Sequence, residues 1–132
     1  MGYMITMQFD EVKVPYGLVG AAIDGLAAVR KQNTSWSHTS NEYVDSLEGL
    51  ITEWGFGIKL RKDGVYITVF HDEKWSDDYE IFFNALAPYV AEDALIIVSP
   101  DGEDGQPWRY VFHDKHIVLE HAALTWRPGP RP

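Results

Sequence analysis

The sequence predicts one α+β domain with a mostly antiparallel sheet of five or six strands and about three helices packed mainly on one face. Its 132 residues suit a single domain with a sizeable core. Apolar residues recur at helical spacing in three segments, and two pairs of strand-like segments flank short turns. We expect residues 1–126 to form this domain and the proline-rich tail, 127–132, to be disordered.

The chain begins with a predicted strand and helix. Residues 3–14 alternate loosely between apolar and polar side chains, and Pro15 should end this strand. Apolar residues then recur at helical spacing over 18–29. Gly20 and Gly25 either weaken this first helix or permit close packing against it.

The second helix has the clearest pattern. Thr39 and Glu42 form a capping-box pair. The Thr39 side chain accepts a hydrogen bond from an early backbone N–H of the helix, and the Glu42 side chain reaches back to the backbone N–H of Thr39. An apolar stripe follows as far as Trp54. Gly55 then stands where a left-handed residue commonly ends a helix.

A hairpin is predicted next, because Asp63-Gly64 separates two strand-like segments and is a strong turn signal. A two-residue turn at this dipeptide pairs Leu60 with Ile67. All aliphatic residues of the two strands then share one face.

The third helix should begin at Ser76 or Asp77, and Pro88 should end it or tighten its last turn. Residues 94–98 form a short, continuous apolar run, which is typical of a strand covered on both faces.

The last two strands are predicted to form a second hairpin. A turn at Asp114-Lys115 places Arg109 opposite Glu120, and the same register pairs Phe112 with Ile117, Tyr110 with Leu119 and Val111 with Val118.

Acidic side chains concentrate in one stretch of the chain. Ten acids and a single base, Lys74, lie between Asp72 and Asp104, and they account for the whole net charge of −9. The predicted strand directions bring residues 72–80 and 101–104 to one end of the sheet, which we call the top. Glu92 and Asp93 should lie at the opposite end, the bottom.

This top end is the predicted partner-binding surface. Clustered carboxylates speed and orient encounters with basic proteins, and tryptophan is frequent in binding hot spots. A solvated end without a specific partner is the simpler alternative. The predicted set, called the acidic end below, is Asp72, Glu73, Trp75, Asp77, Asp78, Glu80, Asp101, Glu103, Asp104 and Trp108.

Composition favours a cytoplasmic interaction domain over an enzyme. The chain has no cysteine, no membrane-length apolar span and no nucleotide-binding or hydrolase motif, so we expect no cofactor. A pI near 4.8 argues against direct nucleic-acid binding. The partner class that the charge favours is a basic protein, with this chain acting as an inhibitor, immunity or phage accessory protein.

Two alternatives remain open. A metal-independent ribonuclease would use Glu120 as base, Arg109 as phosphate clamp, and His113 or His121 as acid. The other alternative is an accessory domain without a specific site.

The sequence predicts no metal site. The loop that carries Asp101, Glu103 and Asp104 does not follow the calcium-loop pattern. His113 and His116 should face each other across their turn, but a zinc site needs a third ligand that the local sequence does not supply.

Overall fold

The computed structural model describes residues 4–32, 46–71, 74–101 and 106–121. Over these ranges the chain forms an α+β fold with three helices and seven strands in two antiparallel sheets, so the predicted fold class is confirmed. None of the described helices is long and apolar enough to cross a membrane.

The elements follow the predicted order. The strands are β1 (Ile5–Asp10), β2 (Lys13–Val14), β3 (Phe56–Arg61), β4 (Gly64–Phe70), β5 (Leu95–Pro100), β6 (Trp108–His113) and β7 (His116–His121). The helices are α1 (Val19–Gln32), α2 (Leu47–Thr52) and α3 (Tyr79–Leu86), with 3-10 turns at Tyr16–Leu18 and Ala87–Tyr89. The sheets have the orders β1-β5-β6-β7 and β2-β4-β3.

The first predicted strand is divided into β1 and β2, which is why the described strands number seven. Glu11 has a left-handed φ of 59° between them. This bend lets β1 pair with β5 while β2 pairs with β4. One continuous segment therefore contributes an edge strand to each sheet.

Helix α1 packs closely through Gly25. A Cβ atom at Gly25 would lie 2.1 Å from the Tyr89 hydroxyl oxygen, in the turn that follows α3. A Cβ atom at Gly20 would meet nothing within 4 Å. The packing interpretation is thus confirmed for Gly25 alone.

Helix α2 is described from Ser46 onward. The Ser46 hydroxyl accepts a hydrogen bond from the Gly49 backbone N–H at 3.1 Å and caps the helix. Gly55 has a φ of 93°, as expected after a helix end. The predicted Thr39–Glu42 capping box lies outside the described residues.

The predicted β3–β4 register is wrong by two residues from Ile58 to Arg61, and by one residue beyond a bulge between Gly57 and Ile58. The turn is formed by Lys62 and Asp63, and Leu60 pairs with Val65 rather than Ile67. Gly64 belongs to β4, where a Cβ atom would lie 2.6 Å from the Val14 carbonyl oxygen. Glycine is required there because the backbone of β2 approaches closely, and not because a turn needs a left-handed residue.

The remaining elements occupy their predicted places, except that α3 begins at Tyr79 rather than at Ser76 or Asp77. Helix α3 follows a turn at Ser76 and buries Tyr79, Phe82, Phe83 and Leu86. The β6–β7 register is as predicted, with Arg109 opposite Glu120. Asp114 and Lys115 form its turn with left-handed φ values of 53° and 66°.

One charged pair lies inside the core. The Arg30 Nε atom of α1 donates to Glu53 Oε2 at 2.9 Å, and the two side chains are only 7% and 4% exposed. This ion pair fastens α1 to the end of α2, beside an aromatic cluster centred on Phe56. Sequence patterns predicted neither feature.

Candidate functional site

Residues of the acidic end meet at the start of β1. Met4 forms a β-bridge with Lys74, and its carbonyl oxygen accepts a hydrogen bond from the Asp101 backbone N–H at 2.9 Å. The segment before α3 and the end of β5 therefore lie on either side of β1. Residues from the two acidic segments share the top end, as far as the structure describes them.

A pocket of about 200 Å³ opens at this end, over the inner face of β6 and β7. Its floor is Tyr110, which is 1% exposed. The rings of Trp75 and Trp108 meet edge to face with centroids 5.1 Å apart. The lining residues are Trp75, Asp77, Glu80, Trp108, Tyr110, Leu119 and His121.

Both carboxylates of the pocket are held by ring donors. The Trp75 indole N–H donates to Asp77 Oδ1 at 2.8 Å. The Tyr110 hydroxyl donates to Glu80 Oε2 at 2.7 Å and accepts from the Trp108 indole N–H at 3.2 Å. These bonds orient the acids before any ligand arrives.

The pocket is negative and aromatic. Burial, reinforced by the bond to Glu80, raises the pKa of the Tyr110 phenol far above its ordinary value, so Tyr110 stays a neutral donor. Of the described lining residues none is Lys or Arg. Aromatic faces beside carboxylates offer the chemistry that holds a cation.

The structure assembles part of the predicted set. Trp75, Asp77, Glu80 and Trp108 line the pocket. Asp78 directly precedes α3, and Asp101 follows β5 with its side chain exposed. The other four members lie outside the described residues: Asp72, Glu73, Glu103 and Asp104.

Three lining residues, Tyr110, Leu119 and His121, were not in the predicted set. The signal that would have found Tyr110 and Leu119 was present, because the predicted β6–β7 register already placed Tyr110 opposite Leu119. Tyr110 also lies two positions from Trp108 on the same face of β6. The charge pattern drew attention to acids and away from this face.

In the described part of the chain, neither His113 nor His121 lies beside the other two ribonuclease residues, Arg109 and Glu120. Arg109 and Glu120 form a cross-strand ion pair, with Nε and Oε1 2.7 Å apart. His121 lies on the opposite face, where it lines the pocket. His113 is four residues further along β6, about 13 Å away by strand geometry, and its Nδ1 atom contacts Glu92.

The histidine pair that sequence analysis considered for zinc is present. His113 and His116 are directly opposite in the β6–β7 register, and both are exposed. Of the three acids in the loop considered for calcium, the structure describes only Asp101.

Comparison of the chain with protein-family models, with curated proteins and with solved structures gives no match. The geometry and chemistry of the top end therefore carry the functional interpretation.

Proposed function

We propose that this protein is an interaction domain that binds a basic partner protein through its acidic end, with a Lys or Arg side chain of the partner entering the pocket. The observation that carries the proposal is the pocket itself. It places the rings of Trp75 and Trp108 beside the carboxylates of Asp77 and Glu80.

A cation suits this pocket better than other ligands. Ammonium and guanidinium groups are attracted to indole faces within about 6 Å, most strongly where the site is shielded from water. Asp77 and Glu80 supply compensating charge, and their ring donors hold them in place. The same two carboxylates disfavour an anionic ligand.

Acids around the pocket support a role in association. Asp78 and Asp101 add negative charge at the same end, with Lys74 as the opposing base. Such a surface speeds encounters with a basic protein and makes them sensitive to salt. Proteins that bind nucleic acid through a basic patch are the partner class that fits this charge.

The proposal is tested with a basic peptide that contains both Arg and Lys, titrated against the protein while tryptophan emission is followed. We expect binding that weakens as salt is raised, whereas an acidic peptide of equal length does not bind. Binding of the basic peptide that is independent of salt would contradict the proposal.

Matched variants locate the site. Asp77→Asn and Glu80→Gln should each weaken binding by about tenfold, which corresponds to roughly 1.4 kcal/mol. The control is Asp24→Asn, which removes the same charge from an exposed position on α1. Equal losses in the control and in the pocket variants would show that net charge, and not the pocket, governs binding.

A ring substitution tests the aromatic contribution. Trp75→Leu should weaken binding of the peptide further than Trp75→Phe, because phenylalanine retains an aromatic face for the cation. Circular dichroism of both variants checks that the fold is retained. Equal affinities for the two variants would remove the cation–π part of the proposal.

A further inference from the structure

A second group of polar side chains converges at the bottom end, away from the pocket. Glu92, Asp93 and His113 each offer one ligand atom, and these three atoms lie within 4.8 Å of one another. All three residues are exposed, so an ion from solvent can reach them. Two of them come from the connection before β5 and the third from the end of β6.

Backbone hydrogen bonds hold the two segments together. The Asp93 N–H donates to the Phe112 carbonyl oxygen at 2.8 Å, and the Phe112 N–H donates to the Ala94 carbonyl oxygen at 2.9 Å. The connection is thereby fastened beside the last residue of β6. This placement depends on the sheet and not on the ligand side chains.

Glu92 is oriented by the β6–β7 turn. Its Oε1 atom accepts the Asp114 backbone N–H at 3.0 Å, and its Oε2 atom faces the His113 Nδ1 atom. Metal-binding carboxylates are commonly fixed by such outer hydrogen bonds. A metal ion between Oε2 and Nδ1 would be bound by the neutral imidazole through Nδ1, with the ring proton on Nε2.

The donor set selects the class of metal. Two carboxylates and an imidazole match the ligands of Zn²⁺, whereas Ca²⁺ and Mg²⁺ prefer oxygen alone. Zinc bonds of about 2.0–2.2 Å require ligand atoms roughly 3.4 Å apart. The three ligand atoms lie within 4.8 Å of one another, and modest side-chain rotation would bring them to this separation.

We propose that Glu92, Asp93 and His113 form a binding site for Zn²⁺, with His116 available as a fourth ligand. His116 is directly opposite His113 across the two-residue turn and on the same face of the sheet. Glu92 and Asp93, in the connection before β5, are thus the further ligands that the sequence near His113 and His116 does not supply. The bound ion links this connection to the β6–β7 hairpin.

The test is calorimetric titration of the full chain with ZnCl₂, after treatment with EDTA and dialysis. We expect one ion to bind per chain, and thermal unfolding to shift to higher temperature because the ion binds the folded state. Magnesium chloride in excess should not displace it. Absence of zinc binding would overturn the proposal.

Conservative variants identify the ligands. His113→Ala, Glu92→Gln and Asp93→Asn should each weaken zinc binding by at least about tenfold and abolish the thermal shift. Asparagine tolerates the left-handed φ of 70° at position 93, and glutamine keeps an oxygen for the Asp114 N–H, so both variants should fold. His71→Ala is the matched control, because His71 is exposed and lies at the end of β4.

Two outcomes separate this site from other histidine chemistry. Zinc binding that survives Glu92→Gln and Asp93→Asn would show that histidines alone bind the ion, which overturns the proposed site. An equal loss of zinc binding in His71→Ala would also overturn the proposed site. Visible absorption of a Co²⁺ complex that disappears in His113→Ala would confirm direct ligation by the imidazole.

Discussion

The Tyr110 hydroxyl donates a hydrogen bond to Glu80 Oε2 at 2.7 Å and so joins β6 to the first turn of α3, across thirty residues of sequence. The same oxygen accepts the Trp108 indole N–H at 3.2 Å. One buried phenol therefore positions an acid and a ring of the pocket. The pocket is built on packed elements, which favours a fixed geometry.

We predict that Tyr110→Phe lowers the free energy of unfolding by about 1–2 kcal/mol, because Glu80 loses a buried hydrogen-bond donor. Urea unfolding measures the change. A double-mutant cycle with Glu80→Gln should give a coupling energy above about 0.5 kcal/mol. Additive losses would show that the two residues act separately. The variant should also bind the basic peptide more weakly, since Glu80 is less firmly held.

Because of Tyr110, the free energy of unfolding is expected to fall at alkaline pH. The folded-state pKa of this residue is raised by burial and by Glu80, so its contribution is fully present below the ordinary value of 10.0 and is lost as pH rises above it. Above that pH the unfolded chain releases the phenolic proton while the folded chain keeps it. The unfolding free energy should decline by up to about 1.4 kcal/mol per pH unit from this residue.

Chemical unfolding measured between about pH 9 and about pH 11.5 gives this slope, because an ordinary tyrosine phenol titrates in that range. The control is Tyr110→Phe, which retains the other tyrosines and should show a shallower decline. Parallel curves for the two proteins would contradict the prediction.

The buried pair Arg30–Glu53 is expected to be sensitive to truncation. Glu53→Ala removes the carboxylate beside a guanidinium that is 7% exposed, and should cost about 3–5 kcal/mol. Thermal or urea unfolding measures this loss. Asp24→Ala, on the exposed side of α1, should change stability by no more than about 0.5 kcal/mol. A loss below about 1 kcal/mol in Glu53→Ala would mean that water reaches Arg30 in solution.

Two glycines should respond to alanine in opposite directions. Gly64→Ala should destabilise the protein by about 1–3 kcal/mol, since its Cβ atom would collide with the Val14 carbonyl oxygen. Gly20→Ala should stabilise it by up to about 1 kcal/mol, because α1 gains helix propensity and the site has open space. Gly64→Asn separates the two explanations for this glycine. A left-handed turn position would tolerate asparagine, whereas a close backbone approach excludes both side chains.

The two hairpins show why one register was predictable and the other was not. At Asp114-Lys115 the alternating side chains and the cross-strand charges all agree on one pairing. At Asp63-Gly64 the dipeptide suggests a turn, but Gly64 serves the approach of β2 from fifty positions earlier in the chain. The residues around Asp63-Gly64 do not indicate that β2 packs against this turn.

Patterns along the chain were enough for the α+β class and the order of the described elements, because periodicity and turn signals are local properties. The pocket around Tyr110 and the group formed by Glu92, Asp93 and His113 were decided by the tertiary structure, because each combines side chains from distant segments. Their geometry depends on hydrogen bonds between elements, such as Tyr110 to Glu80 and Asp93 to Phe112. Such contacts arise from the three-dimensional arrangement of the elements, which charge and spacing alone do not specify.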